Sequence, residues 1–218
     1  MQLNTVIFDM DGLLIDSEPL WNEAAATIFS DYGIRLTPQQ YDTTTGLRTK
    51  EFIQRWFSFF NIPLTDAPKV ETAIINKVIE LATQKGKAMP GLEHIFNFFI
   101  ERNFKIGLAS SSPLSLINVV VDLLQLRPFL KSITSAATLQ YGKPHPEVYL
   151  LAALDMGAQP LECICFEDSF PGMIAAKAAA MKCVVVPDFK TSKELKWHAA
   201  DLKISSLSNF NELLLHSL

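Results

Sequence analysis

Cysteine is nearly absent: Cys163, Cys165 and Cys183 are the only three in 218 residues, each inside an apolar run. Three thiols do not make a disulfide framework. Cys163 and Cys165 also lack the second pair that a structural zinc site needs, which leaves all three as small buried hydrophobes. Charge is sparse too, at 19% of residues, with a formal net charge of −4 and no run of Lys or Arg. The chain therefore has no general attraction for nucleic acid or anionic lipid, and any anion it binds must be held by a local site. No segment approaches the ~20 unbroken apolar residues of a membrane-crossing helix. The opening MQLNTVIFDMDG has no basic stretch followed by a long apolar one. These absences predict a cytoplasmic protein without nucleic-acid or membrane partners. What the chain does have is apolar material, 49% of residues, the reverse of a disordered composition.

Asn4–Phe8 is a short β-rich run that ends in acidic residues and glycine, the pattern of a buried strand feeding a functional loop. Phe104–Ala109, Ser132–Ser135, Cys163–Phe166 and Cys183–Pro187 have the same character. Helical patterns lie between them at Leu114–Leu126, Glu147–Met156 and Met173–Met181. Strands alternating with helices of this length predict an α/β protein with a Rossmann-like parallel sheet. The stretch 17–87 breaks the rhythm, with helical patterns at Leu20–Tyr32, Lys50–Phe60 and Lys69–Gln84 and no convincing strand. It reads as a helical insertion, so that 1–16 and 88–218 form the α/β core. The aromatic cluster Trp56, Phe57, Phe59 and Phe60 is expected to be core of that insertion.

Four polar clusters fall at predicted strand ends, where open parallel sheets bind ligands. In Asp9-Met10-Asp11-Gly12, extended backbone puts both carboxylates on one side, and Gly12 lets the chain leave the strand. Two such carboxylates repel, so a cation or a shared proton is expected between them. Ser110-Ser111-Ser112 offers hydroxyls and N–H groups to an anion, or merely caps the next helix. Lys143-Pro144-His145-Pro146 holds one ammonium on stiff backbone, and alone reads as a surface loop in which His145 is structural. Glu167-Asp168-Ser169 offers oxygen ligands to a hard cation, or simply favours a helix N-terminus. Each cluster alone is ambiguous; the ordered set can attack, neutralise charge and hold metal.

That set resembles the haloacid dehalogenase superfamily over essentially the whole chain. The resemblance implies Asp9 as nucleophile, Asp11 as acid and base, and Ser110, the Ser111 backbone and Lys143 at phosphate. It also implies Mg2+ held by the Asp9 side chain, the Asp11 carbonyl and Asp168, with Glu167 a further candidate ligand. The insertion resembles the helical cap of the phosphoglycolate phosphatase and beta-phosphoglucomutase branch. The strings Phe8-Asp-Met-Asp-Gly-Leu-Leu-Ile-Asp-Ser-Glu-Pro-Leu-Trp21, Ala109-Ser-Ser-Ser-Pro113 and Lys143-Pro-His-Pro-Glu-Val-Tyr149 carry that likeness. They are most similar to branch members that hydrolyse 2-deoxyglucose 6-phosphate and hexitol phosphates. Thr45-Gly46-Leu47-Arg48 corresponds to a cap loop that reaches substrate, which makes Gly46 and Arg48 contacts; the other reading of Arg48 is a surface ion pair.

The resemblance thus implies a monomeric, magnesium-dependent phosphatase acting on a small phosphate ester through an aspartyl phosphate. A dehalogenase would need neither Asp11 nor a metal site. A sugar-phosphate mutase of this branch carries a histidine where Trp21 stands. A non-enzymatic switch phosphorylated on Asp9 leaves Asp11 unexplained, because a base that speeds hydrolysis shortens the signal.

Overall fold

The computed structural model describes residues 2–218. β1 (Thr5–Phe8) is buried at every position and lies inside a six-stranded parallel sheet. A strand covered on both faces has no use for alternating polar residues, and the sequence TVIF has almost none. The other strands are β2 (Lys105–Ser110), β3 (Leu130–Ser135), β4 (Cys163–Glu167), β5 (Lys182–Val185) and β6 (Leu202–Lys203), in the spatial order β3-β2-β1-β4-β5-β6. Phe8 is level with Leu108 on one side and Phe166 on the other. The strand order reverses between β1 and β4, and a crevice forms at their carboxyl ends. The α/β expectation is met.

Between β1 and β2 lie α1 (Glu18–Ser30), α2 (Pro38–Asp42), α3 (Thr49–Phe59), α4 (Ala67–Lys85) and α5 (Leu92–Glu101). Pro19 and Pro68 sit in the first turns of α1 and α4, where their missing N–H groups are not needed. The chain enters and leaves α1–α4 through paired backbone: Ile15 bridges Ala88 antiparallel, Asp16 N–H donates to the Lys87 carbonyl and Met89 N–H to that of Leu14. Of the aromatic cluster on α3, Trp56 and Phe57 are buried, but Phe59 is 63% exposed and Phe60 only partly covered. The cluster is thus core on one side only, because consecutive helical residues cannot all face inward.

α6 (Leu114–Leu123), α7 (Glu147–Asp155) and α8 (Phe170–Ala178) cover the sheet where helices were expected, and α9 (Glu212–His216) closes the chain. Two apolar clusters result. One holds Phe8, Phe99, Phe166 and Phe210 and runs on without a break into Phe29, Ile53 and Phe57 of the insertion. The other holds Ile7, Cys165, Tyr149 and Met173 beneath α7 and α8. Cys163, Cys165 and Cys183 are free thiols within strands, buried as expected.

Candidate active site

Asp9 follows β1 directly, 6% exposed, with its N–H donating to the Phe166 carbonyl at 3.0 Å. Lys143, from the loop ahead of α7, is 2% exposed. Its Nζ donates to Asp9 Oδ1 at 2.5 Å and to Glu167 Oε1 at 2.6 Å. The same ammonium reaches the Ala109 carbonyl at 3.1 Å and the Tyr149 hydroxyl at 3.2 Å. Burial works against the charge on Lys143, but Asp9 and Glu167 outweigh it and hold its pKa above the ordinary value. Asp9 is pushed up to about 8, chiefly by burial; Lys143 counters this, while Glu167 and Asp11 reinforce it. One ammonium thus serves two buried carboxylates, leaving the pocket short of positive charge.

Glu167 is fully buried at the end of β4. Its Oε1 accepts from Lys143 and from Tyr149 Oη at 2.5 Å, and its Oε2 accepts from the Ser169 N–H at 3.2 Å and hydroxyl at 3.0 Å. Carboxylate oxygens of Asp9, Glu167 and Asp168 lie within 4.8 Å of one another, a group that could hold a metal ion. Asp168 Oδ1 is buried with no hydrogen-bond partner. Burial, then Asp9 and Glu167, push the pKa of Asp168 well above the usual range. Gly12, at φ +73°, is what lets Asp168 come so close: a Cβ there would stand 2.2 Å from Asp168 Oδ2. A buried, unpartnered carboxylate oxygen among other carboxylates suits a hard divalent cation, which prefers oxygen ligands. Asp9 and Asp168 have capacity to spare, whereas both Glu167 oxygens are already engaged.

The Asp11 carboxylate stands outside that triad. Its Oδ1 accepts from Ser17 Oγ at 2.7 Å and from the Trp21 indole at 2.8 Å, and its Oδ2 from Ser112 Oγ at 2.7 Å and Ser110 Oγ at 3.3 Å. Asp9, Asp11, Ser110, Ser111 and Asp168 line a cavity between the strand ends and the insertion. Glu18, Trp21, Asn22, Tyr41, Asp42 and Thr44, contributed by the insertion, line it too. Gly46 also lines it, at φ +84°, and its carbonyl accepts from Ser111 Oγ at 2.9 Å.

A haloacid dehalogenase-like hydrolase model matches residues 3–180. The chain belongs to that family. It is 36% identical over 208 residues to hexitol phosphatase B of Escherichia coli K12, covering 95% of this chain and 94% of that one. Among solved structures, CbbY from Rhodobacter sphaeroides in complex with phosphate superposes with a TM-score of 0.88 at 21% identity, with 100% of both chains covered. Beta-phosphoglucomutase from Clostridium difficile gives 0.87 at 23% identity, covering 99% of this chain and 96% of that one. At such identities the two structures speak for the fold alone. Family membership and the phosphatase relative make this hydrolase an enzyme of the phosphatase class.

The hydrolase brings together Asp9, Asp11, Ser110, Lys143, Glu167 and Asp168, which the sequence spread over 160 positions. Arg48 goes elsewhere. Its guanidinium pairs with Glu51 at 2.5 Å and donates to the Leu139 carbonyl at 2.7 Å and that of Ala136 at 3.3 Å, with the side chain 12% exposed. Glu51 one turn on and two core carbonyls are the partners that hold this cation. Of the two readings, the ion pair is there, half-buried at the seam between insertion and core. Sequence reasoning gave no role to Ser17 or Tyr149 and named Ser112 and Ser169 only as members of their clusters. Tyr149 and Ser112 stood inside the quoted motif strings, but nothing in their spacing revealed what they would touch.

Proposed function

We propose that this hydrolase is a Mg2+-dependent phosphatase of small phosphomonoesters, sugar or sugar-alcohol phosphates, acting through an aspartyl phosphate on Asp9. The observation that carries the reading is the buried Asp9–Lys143–Glu167 ion group beside the unpartnered Asp168 oxygen. Asp9, Asp168 and the Asp11 carbonyl would hold Mg2+, which supplies charge neutralisation at the phosphoryl group.

Asp9 attacks phosphorus, and the bond from phosphorus to the ester oxygen breaks. Asp11 gives the leaving oxygen a proton. Water then attacks the aspartyl phosphate, Asp11 takes a proton from it, and phosphate leaves with Asp9 regenerated. To reach Asp11, the ester oxygen displaces one of the four donors now on that carboxylate; Ser110 makes the longest of those bonds. Lys143 stays fixed by Glu167 and Tyr149, so its charge is already in place when negative charge gathers on the phosphoryl oxygens. The insertion acts as a cap that excludes water, and its loop at Gly46 touches Ser111.

The relative that hydrolyses hexitol phosphates favours a polyol substrate here. A mutase needs its product retained and rephosphorylated. The Trp21 indole against Asp11, where mutases of the branch carry histidine, argues for simple release. The deciding experiment is phosphate release from a panel of sugar, polyol and glycolate phosphates, with magnesium or EDTA, beside Asp9→Asn. Turnover needing both magnesium and Asp9 is expected; none with any ester from folded protein would refute the reading.

A further inference from the structure

The α/β core and the insertion line the cavity with different groups. The core contributes Asp9, the serines Ser110–Ser112 and Asp168, with Lys143 behind Asp9. The insertion, through α1, α2, the loop that follows and the start of α3, contributes Glu18, Asn22, Tyr41, Asp42, Thr44 and Thr49. No Lys, Arg or His lies among the described residues lining the cavity. The cation nearest in sequence, Arg48, is tied to Glu51 and to the Leu139 and Ala136 carbonyls.

We infer that this wall of the insertion selects against a second negative charge, so that the substrate carries one phosphate and otherwise only hydroxyls or an amine. The inference rests on the phosphatase reading and narrows its substrate class. A carboxylate or second phosphate on the tail would meet Glu18 and Asp42 with no cation on the lining, a like-charge juxtaposition that costs binding. Hydroxyls suit the wall in both directions: they donate to Glu18 and Asp42 and accept from the Asn22 amide and the Thr49 hydroxyl, the Thr44 hydroxyl being given to the Tyr41 carbonyl. An amine only donates, which the two carboxylates favour.

The charges around Glu18 point the same way. Burial raises its pKa, the carboxylates of Asp188, Asp42 and Asp16 raise it further, and Lys190 opposes them more weakly than any of these. The negative field at that wall therefore comes from several elements: α1, α2 and the loop after β5.

The test compares kcat/KM for three six-carbon monophosphates that differ only at the far carbon: sorbitol 6-phosphate, 6-phosphogluconate and 1-amino-1-deoxysorbitol 6-phosphate. The carboxylate is expected to fall at least about tenfold below the alcohol, with the amine equal to it or better. In Glu18→Gln/Asp42→Asn the ratio of carboxylate to alcohol should rise about tenfold, and the preference for the amine should vanish, whatever the variant does to turnover as a whole. Wild-type values within about twofold of each other would overturn the inference. So would a selection that the double variant leaves unchanged. Absence of turnover with all three and with p-nitrophenyl phosphate would instead overturn the phosphatase reading, and this inference would fall with it.

Discussion

Lys143 shows how much one side chain does here. It is the cation that both Asp9 and Glu167 hold, and it is almost fully buried. Replacing it by Met would leave two carboxylates facing each other without a counter-charge. Loss of one partner from a buried ion group costs about 3–5 kcal/mol. Lys143→Met should therefore lower the urea midpoint by that equivalent as well as abolish turnover. Unaltered stability would mean that the ammonium serves only the substrate. The four key positions at strand ends were legible as residue types, since acids, serines and a lysine after apolar runs are conspicuous. Their partners were not. Ser17 and Ser112 matter because the chain brings them to Asp11 from 6 and 101 residues away, and Arg48 because Glu51 captures it. Such competition among polar groups is decided by tertiary distance, which spacing along a chain does not encode.

At the scale of elements, the loop ahead of α3 is held against the core by close packing. A Cβ on Gly46 would stand 2.7 Å from Ser169 Oγ, and φ is +84° there. Gly46→Ala should lift this loop from the core at about 1–3 kcal/mol of backbone strain. It should raise KM for the substrate and speed amide exchange at Thr45–Arg48, with the sheet's exchange unchanged; wild-type exchange in that loop would refute this. A second junction joins α8, β5 and the start of β6. Asp201 Oδ2 accepts from Lys177 Nζ at 2.5 Å and from the Cys183 N–H at 2.8 Å. Burial raises its pKa, but these bonds and Lys177 outweigh it, so the net shift is downward. A depressed carboxyl stabilises the fold above its unfolded value of about 3.9 and loses that contribution as pH falls through the folded value. Asp201→Asn should thus cost about 1 kcal/mol or less at pH 7, the site being partly solvated, and progressively less below pH ~4. Acid melts of the two proteins that stay parallel would contradict it. The strands were readable as elements because each is an apolar run with an abrupt polar end. α5 was not, since Leu92–Glu101 is crowded with aromatics that favour strands as readily as helices. β6, two residues long, carries no pattern at all.

For the whole molecule, the acidic triad is a repulsion that folding must hold closed. A cation that binds it only in the folded state stabilises by mass action, about 2.7 kcal/mol at a hundred times its dissociation constant. Magnesium should therefore raise the melting temperature and EDTA reverse it. Asp168→Asn should melt higher than wild type in EDTA, because a buried like charge is gone, and should lose most of the magnesium shift. A full magnesium shift in that variant would remove Asp168 from the metal site. The division into core and insertion was read from where the strand–helix rhythm stops, and the apolar interior runs across both parts. The neck at Ile15 and Ala88 has a consequence of its own. Because the two crossing chains are already neighbours, the helices between them close a loop whose ends the sheet side holds together. Such a segment can be lengthened, shortened or exchanged by recombination at two adjacent points without disturbing the strands that carry the chemistry. A lineage could in that way acquire new substrates while its reaction stayed the same.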